Sequence, residues 1–410
     1  MAGIRDGVSA QVVWSPRLMD YRHSADHPMS PRRLDLTMSL ATELGVLDGV
    51  EMLDPGTATD SELLRVHTSR YLDAVKAAGD LPPGEHFGMS HGLGTADNPT
   101  FPGMHEASAA VAGGTLAAAR AIASGAATRA VSVAGGMHHA MPSAAAGFCV
   151  YNDSAVAISW LLDNGYGRIA YVDIDVHHGD GVQTAFYEDP RVLTVSLHQH
   201  PATLWPSTGW ASETGAGRAE GTAVNLAYLP AVTDDLWLRG FHAVVPGALR
   251  AFEPEIIVLQ CGCDSHLEDP LADLSLTVDG HRAAYLEMMA LADELCDGRI
   301  IAVGGGGYEL VRVVPRSWTH LIAAVLDAPL DPGTPIPEGW SALAARYTVP
   351  DRVPETMSDG ATPTYTRWEP TGADRGVEID RSLARLDQSI LDTRRSVYPL
   401  LGLDPDDPRD

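Results

Sequence analysis

Short apolar runs alternate with longer amphipathic stretches through most of the chain. AVSVA at 130–134, RIAYVDIDV at 168–176, VLTVSLH at 192–198, EIIVLQCGCD at 255–264 and RIIAVGGGGY at 299–308 have strand length and strand composition. Between and around them, 105–124, 154–164, 236–252 and 281–297 read as helices, the second capped by Asp153 and stopped by Gly165. Strands that alternate with helices predict an α/β fold, a mainly parallel multi-stranded sheet with helices on both faces. In such sheets the active site gathers at the carboxyl ends of the strands. Every unusual polar group in this sequence falls at such an end.

The texture changes near residue 330. Proline and acidic residues become frequent, as in DAPLDPGTPIPEGW, and a helical piece follows at 382–395 with Leu383, Leu386 and Ile390 on one side. The chain closes on DPDDPRD. The expected organisation is one catalytic domain over 1–330 and an extension over 331–410 that packs on it and ends in a polar tail.

Composition narrows the class. A chain of 410 residues that is 45% apolar and 20% charged can bury a large core. Asp and Glu total 54 against 28 Lys and Arg, a formal charge of −26, which argues against a general binder of nucleic acid or anionic membrane. Four cysteines (Cys149, Cys261, Cys263 and Cys296) are too few for a secreted disulfide scaffold of this size. The amino terminus has no signal-peptide pattern. The segment 107–127 is built from Ala, Gly and Ser around Arg120, and reads as a packed interior helix, not a membrane span. The expected location is the cytoplasm.

The candidate chemistry starts at Ile169–Val176, where a buried strand is interrupted by Asp173 and Asp175, with His177 just beyond. Steps of two place these three on one face. Like charges packed on a buried face persist when a cation neutralises them. Gly179, Asp180 and Gly181 then turn the chain. Asp175, His177 and Asp264 form a candidate metal set: two carboxylates and one imidazole leave an open position, and oxygen-rich ligation with one His suits Zn²⁺ or Fe²⁺. Cys261 and Cys263 are rival ligands, but their parity turns them away from Asp264, so they read as core thiols. His138 and His139 each invite a carboxylate partner, and Asp173 and Asp180 are available. Tyr308 follows Gly304–Gly307 and offers a phenolic donor to a developing oxyanion. The glycine run lacks G-x-G-x-x-G spacing, which excludes a dinucleotide loop.

The blocks GGMHHAMPSAAAGFCVYND, YVDIDVHHGDGVQTAFY, QCGCDSHLEDPLADLSLT and GGGGY resemble, in order, the signature blocks of the zinc-dependent histone deacetylase family. The resemblance spans roughly residues 10–325, and DPLADLSLT with ELVRVVPRSW resembles the bacterial acetoin-utilisation branch. It implies an arginase–deacetylase-like domain that hydrolyses the acetyl amide of an acetylated amine. It implies zinc on Asp175, His177 and Asp264, and His139 as general base and then acid, backed by Asp180. His138 would be the electrostatic partner, held by Asp173, and Tyr308 the oxyanion donor. Gly147, Phe148, Trp205 and Leu271 would shape a narrow acyl-lysine channel, Asp97 would grip substrate backbone at the rim, and Arg33 would line an inner cavity. Potassium would be held by Asp173, Asp175, His177, Ser196 and Leu197. Trp205 stands where phenylalanine is common, and the loop GLGTADNP before the rim differs in length. The expected partner is an acetylated protein or a small acetylated amine, with the oligomeric state open. An acetylpolyamine hydrolase and a non-catalytic acyl-lysine binder are the alternatives. A two-manganese ureohydrolase would need more carboxylates on these loops.

Overall fold

The computed structural model describes residues 9–82, 89–370 and 381–410. Eight strands, β1 (Ala10–Val13), β2 (Met52–Leu53), β3 (Arg129–Ser132), β4 (Ile169–Asp173), β5 (Val192–Gln199), β6 (Ala223–Tyr228), β7 (Ile256–Gln260) and β8 (Ile300–Val303), form one sheet. Their order is β2-β1-β3-β8-β7-β4-β5-β6, and every pair is parallel. The α/β class read from the alternation of runs is therefore the observed one. The helices are α1 (Arg32–Glu43), α2 (Asp60–Leu63), α3 (Ser69–Gly79), α4 (Met104–Ala123), α5 (Asp153–Asp163), α6 (Asp180–Phe186), α7 (Asp234–Phe252), α8 (Val278–Cys296), α9 (Val314–Val325), α10 (Glu338–Ala344) and α11 (Arg381–Leu401).

Strands β4, β7 and β8 are apolar apart from a polar last residue on the first two (Asp173 and Gln260), and β3, β4, β5, β7 and β8 are buried throughout. This is the pattern of a parallel sheet covered on both faces. Separate apolar clusters fill the two faces: one holds Val172, Leu197, Leu259 and Trp318, the other Ile158, Tyr171, Val258 and Ile301. The small residues of α4 let that helix lie buried against β1 and β3. Among the described residues no helix is long and apolar enough to cross a membrane.

Several boundaries differ from the sequence reading, and four of the differences have a clear local reason. β4 stops at Asp173, short of Val176. Beyond it Asp173 accepts the Asp175 N–H (3.2 Å) and Asp175 accepts the His177 N–H (2.9 Å), so side chains replace the ladder and curl the backbone. β7 ends at Gln260 and β8 at Val303, where glycine-containing turns begin. Asp153 does not cap α5. Asn152 does, accepting the Ala155 N–H at 2.9 Å. The buried Asp153 carboxylate turns inward instead, to the Met137 N–H (2.7 Å), the Gly136 N–H and the Thr115 hydroxyl (2.6 Å).

The carboxyl-terminal region lies on the sheet domain. α11 packs against α7 and β6, and Arg239 forms a buried ion pair with Asp387 (2.8 Å). Arg394 has no solvent exposure, donates to the Ala243 carbonyl (2.6 Å) and the Pro405 carbonyl (2.8 Å), and lies over Trp368 and Tyr398. Residues 404–410 thus fold around a guanidinium, with further bonds from Arg394 to the carbonyls of Asp404, Asp407 and Asp410.

His67 fastens the loop that carries the paired histidines. Its Nδ1–H donates to the Met141 carbonyl (3.2 Å) and its Nε2 accepts the Asn152 N–H (3.0 Å), so the ring is neutral. Burial lowers its pKa to about 4. The unfolded chain, with a His pKa near ~6.5, takes up this proton first as pH falls. Stability from neutral His67 is complete above that value and is lost as pH falls toward about 4. We expect a lower urea midpoint at pH 5 than at pH 7, with His67 supplying on the order of 1–2 kcal/mol of the difference. An unchanged pH dependence in His67→Gln would contradict this.

Candidate active site

The carboxyl ends of β3, β8, β7 and β4, four neighbours at the centre of the sheet, converge on one point. The register pairs Asp173 of β4 with Gln260 of β7, so the turns beyond them face each other. Asp175 and Asp264 come from these turns with no solvent exposure. Ligand atoms of Asp175, His177 and Asp264 all lie within 4.8 Å of one another. His177 Nδ1 is 3.2 Å from Asp175 Oδ1 and 3.1 Å from Asp264 Oδ2. Gln260 Nε2 and the Gly306 N–H, each at 2.8 Å, donate to the other oxygen of Asp175, while the Val176 N–H donates to Asp264 Oδ1 (3.0 Å).

Two glycines make room for this cluster. A Cβ on Gly262 would lie 1.9 Å from Asp175 Oδ2, and one on Gly306 would lie 1.9 Å from Asp264 Oδ2. The donor set fits a divalent cation: two buried carboxylates and one imidazole have a net negative charge, and three ligands leave positions open. Burial opposes a charge on His177, but Asp175 and Asp264 outweigh it and raise its pKa to about 10. The same field attracts any cation.

His138 and His139 stand beside this cluster with ring centroids 3.9 Å apart. His138 Nδ1–H donates to Asp173 (2.8 Å), which also accepts the Tyr171 hydroxyl (2.6 Å). His139 Nδ1–H donates to Asp180 (2.7 Å), which also accepts the Gly181 N–H (2.9 Å). The environments push the two rings apart. Burial disfavours charge on both, but Asp173 and Asp175 overcome it at His138, whose pKa rises to about 9. At His139 burial and the adjacent His138 prevail over Asp180, and the pKa falls to about 4.

A cavity of about 270 Å³ opens onto His139, His177 and Tyr308. Gly147, Phe148, Leu204, Trp205 and Leu271 line it, with Asp97 at its exposed end. The Trp205 ring stands edge-on to His139 at 4.5 Å and passes over Gly147, where a Cβ would lie 2.6 Å from the indole. Phe148 adopts a left-handed φ of 69° and meets Tyr308 edge-on at 5.6 Å. Such backbone needs anchoring; the Tyr21 hydroxyl supplies it by donating to the Phe148 carbonyl (2.6 Å). Burial, then Asp264 and Asp175, raise the Tyr308 pKa well above the phenol value, which keeps its proton in place.

The remaining candidates sit close by. Arg33 is buried under the glycine run, donating to the carbonyls of Gly305 (2.7 Å) and Gly307 (3.2 Å), beside a void of about 10 Å³. Ser196 is the register partner of Asp173, with its hydroxyl 2.9 Å from His198 Nδ1, and Leu197 follows it on β5. Cys261 and Cys263 are buried free thiols. Tyr171, Leu204, Gln260 and Asp269 went unnoticed in the sequence. For Tyr171 a signal existed, since it lies two residues before Asp173 and so on the same strand face.

A histone deacetylase domain matches residues 27–325. The chain is 39% identical over 360 residues to the acetoin utilization protein AcuC of Bacillus subtilis (strain 168), covering 87% of this chain and 91% of that one. It is 36% identical over 350 residues to AcuC of Staphylococcus aureus (strain MRSA252), covering 85% and 90%. The crystal structure of an HDAC homolog from Aquifex aeolicus superimposes with a TM-score of 0.78 at 28% identity, over 92% of this chain and 98% of that one. The chain belongs to the histone deacetylase family. It has that family's arginase-like α/β fold and is a hydrolase of a metal-dependent class.

The cluster predicts what metal analysis will find. Asp264→Ala should abolish stoichiometric binding of a divalent metal. Gln260→Leu removes a donor that orients Asp175 and should weaken binding about 10- to 100-fold, the usual effect of an outer partner. Competition with a chelator checks both. Equimolar tight binding in Asp264→Ala would overturn the ligand assignment.

Proposed function

We propose that the protein is a zinc-dependent lysine deacetylase of the acetoin-utilisation type, hydrolysing N-ε-acetyl-lysine to lysine and acetate. The observation that carries this reading is the cavity, which leads between apolar and aromatic walls to His139, His177 and Tyr308 together. Asp175, His177 and Asp264 would hold Zn²⁺, with Fe²⁺ the alternative ion. Such a metal polarises an amide carbonyl and acidifies water when bound. A potassium site at Asp173, Asp175, His177, Ser196 and Leu197 would brace the same turn.

The chain's own groups divide the remaining work. Asp180 occupies His139 Nδ1, which leaves Nε2 as the free basic atom. The low pKa of His139 keeps that nitrogen unprotonated before reaction. Nε2 takes a proton from the attacking water as its oxygen bonds to the acetyl carbon. The same proton passes to the leaving amine as the C–N bond breaks. Tyr308 donates its phenolic hydrogen to the carbonyl oxygen as that oxygen gains charge. His138, held by Asp173, supplies positive charge next to the base. Phe148 and Trp205 would enclose the methylene stem, and Asp97 would accept from substrate backbone at the mouth.

His139→Ala and Tyr308→Phe should retain metal and fold while lowering kcat by on the order of 100-fold or more. Steady-state kinetics on an acetyl-lysine peptide checks this, and near-normal turnover of His139→Ala would show that another group is the base.

An acetylpolyamine amidohydrolase would use the same chemistry, and the net charge of −26 would attract its substrate. Exposed charge is screened over roughly 8–10 Å at physiological salt, however. The walls are apolar, and each buried methylene gains ~0.8 kcal/mol. Higher kcat/KM is expected for acetyl-lysine peptides than for acetylpolyamines. The reverse order, persisting at high salt, would make the polyamine the substrate.

A further inference from the structure

The proposed oxyanion donor sits at the end of a segment that cannot fix its own position. Gly304–Gly307 precede Tyr308, and Gly305 (φ +135°) and Gly307 (φ +130°) lie in conformations that side chains rarely adopt. The run is held from outside. Arg33 donates to the carbonyls of Gly305 and Gly307, the Gly306 N–H donates to Asp175, and the Cys263 N–H donates to the Gly306 carbonyl (2.9 Å). The anchor at Tyr308 itself is Asp269. Its Oδ2 accepts the Tyr308 N–H at 2.8 Å, and its Oδ1 accepts the Leu271 N–H at 3.0 Å.

Asp269 is buried, and both of its oxygens face inward to these two main-chain donors. It therefore joins the segment carrying Tyr308 to the segment carrying Leu271 on the cavity wall. It is fixed in turn by its neighbours. The Asp269 N–H donates to the His266 carbonyl (2.9 Å), and His266 Nε2 meets Asp359 at 2.9 Å. Glu268 pairs with Arg312 (2.8 Å) and with Arg352. Arg352 and Asp359 lie beyond residues 27–325, the part that matches the family domain. A stretch outside that domain thus reaches back to brace the loop behind the tyrosine.

We infer that Asp269 is a positioning residue for the deacetylation, setting the phenol of Tyr308 through its main-chain N–H while the Arg352–Asp359 stretch holds Asp269 from behind. This rests on the reading of Tyr308 as the oxyanion donor. A carboxylate is required because two N–H donors need two acceptor oxygens; an amide offers one and sets an N–H₂ against the other donor.

The test is a double-mutant cycle on the metal-loaded protein. Asp269→Asn should lower kcat about 10-fold, with KM for an acetyl-lysine peptide and bound metal per chain almost unchanged. In a Tyr308→Phe background the same change should lower kcat less than about 2-fold, because there is no longer a hydroxyl to place. Equal fold-losses in the two backgrounds, or no loss in the single variant, would overturn the inference. Full turnover by Tyr308→Phe alone would overturn the underlying reading of Tyr308, and the inference with it, which is a different failure from additivity. Amide hydrogen exchange on the unaltered protein tests the contact without a variant: the Tyr308 N–H should exchange at least about 100-fold more slowly than in an open loop. Exchange at the open-loop rate would overturn the inference.

Discussion

Two carboxylates, Asp175 and Asp264, lie side by side with no access to water. Removing even one such charge from solvent costs several kcal/mol unless partners replace the lost hydration. Much of the surrounding architecture supplies those partners. The β4–β7 pairing brings the two turns together, and Gln260, Val176 and Gly306 donate to the oxygens. Glycine at 262 and 306 is dictated by the same crowding, since any side chain there would occupy the carboxylates' space. What the donors leave uncompensated is negative charge, which is why the arrangement suits a cation.

The two histidines show how burial and charge, applied to one residue type, give different groups. Both rings are nearly buried, and each has a carboxylate on Nδ1. His138 also lies 3.9 Å from Asp175, and its pKa rises; His139 lies against His138 and the Trp205 ring, and its pKa falls. On the proposed mechanism, a charged imidazole next to a neutral one would be a division of labour between electrostatic support and proton transfer. Here it follows from placement on one loop beyond β3, with no difference in covalent chemistry.

Much of this was legible in the sequence because parallel strands are long apolar runs and functional groups collect at their carboxyl ends. The runs around 130, 170, 195, 257 and 301 correspond to β3, β4, β5, β7 and β8. The edge strands were not legible. β2 has two residues, and β6, reading AVNLAY, carries Asn225 in its middle. The length of β4 was overread because apolarity continues to Val176 while the backbone is already captured by Asp173 and Asp175. Asp175 and His177 do meet, but on a turn stabilised by their own side chains and not on a regular strand face. Asp153 was misread because an acidic residue before an apolar run resembles a cap, and nothing local reveals that Asn152 has taken the role. Gln260, Asp269 and Arg394 act through partners more than ten residues away, which no local pattern encodes.

On the proposed reading, the buried pair of carboxylates with His177 would hold one catalytic divalent ion. Zn²⁺ added stepwise to metal-stripped protein, with bound metal and hydrolysis of an acetyl-lysine peptide recorded on the same samples, tests it most directly. Turnover should rise in proportion to bound metal and level off at one ion per chain. Full turnover in the stripped protein, or a rise that begins only after a first equivalent has bound, would contradict it.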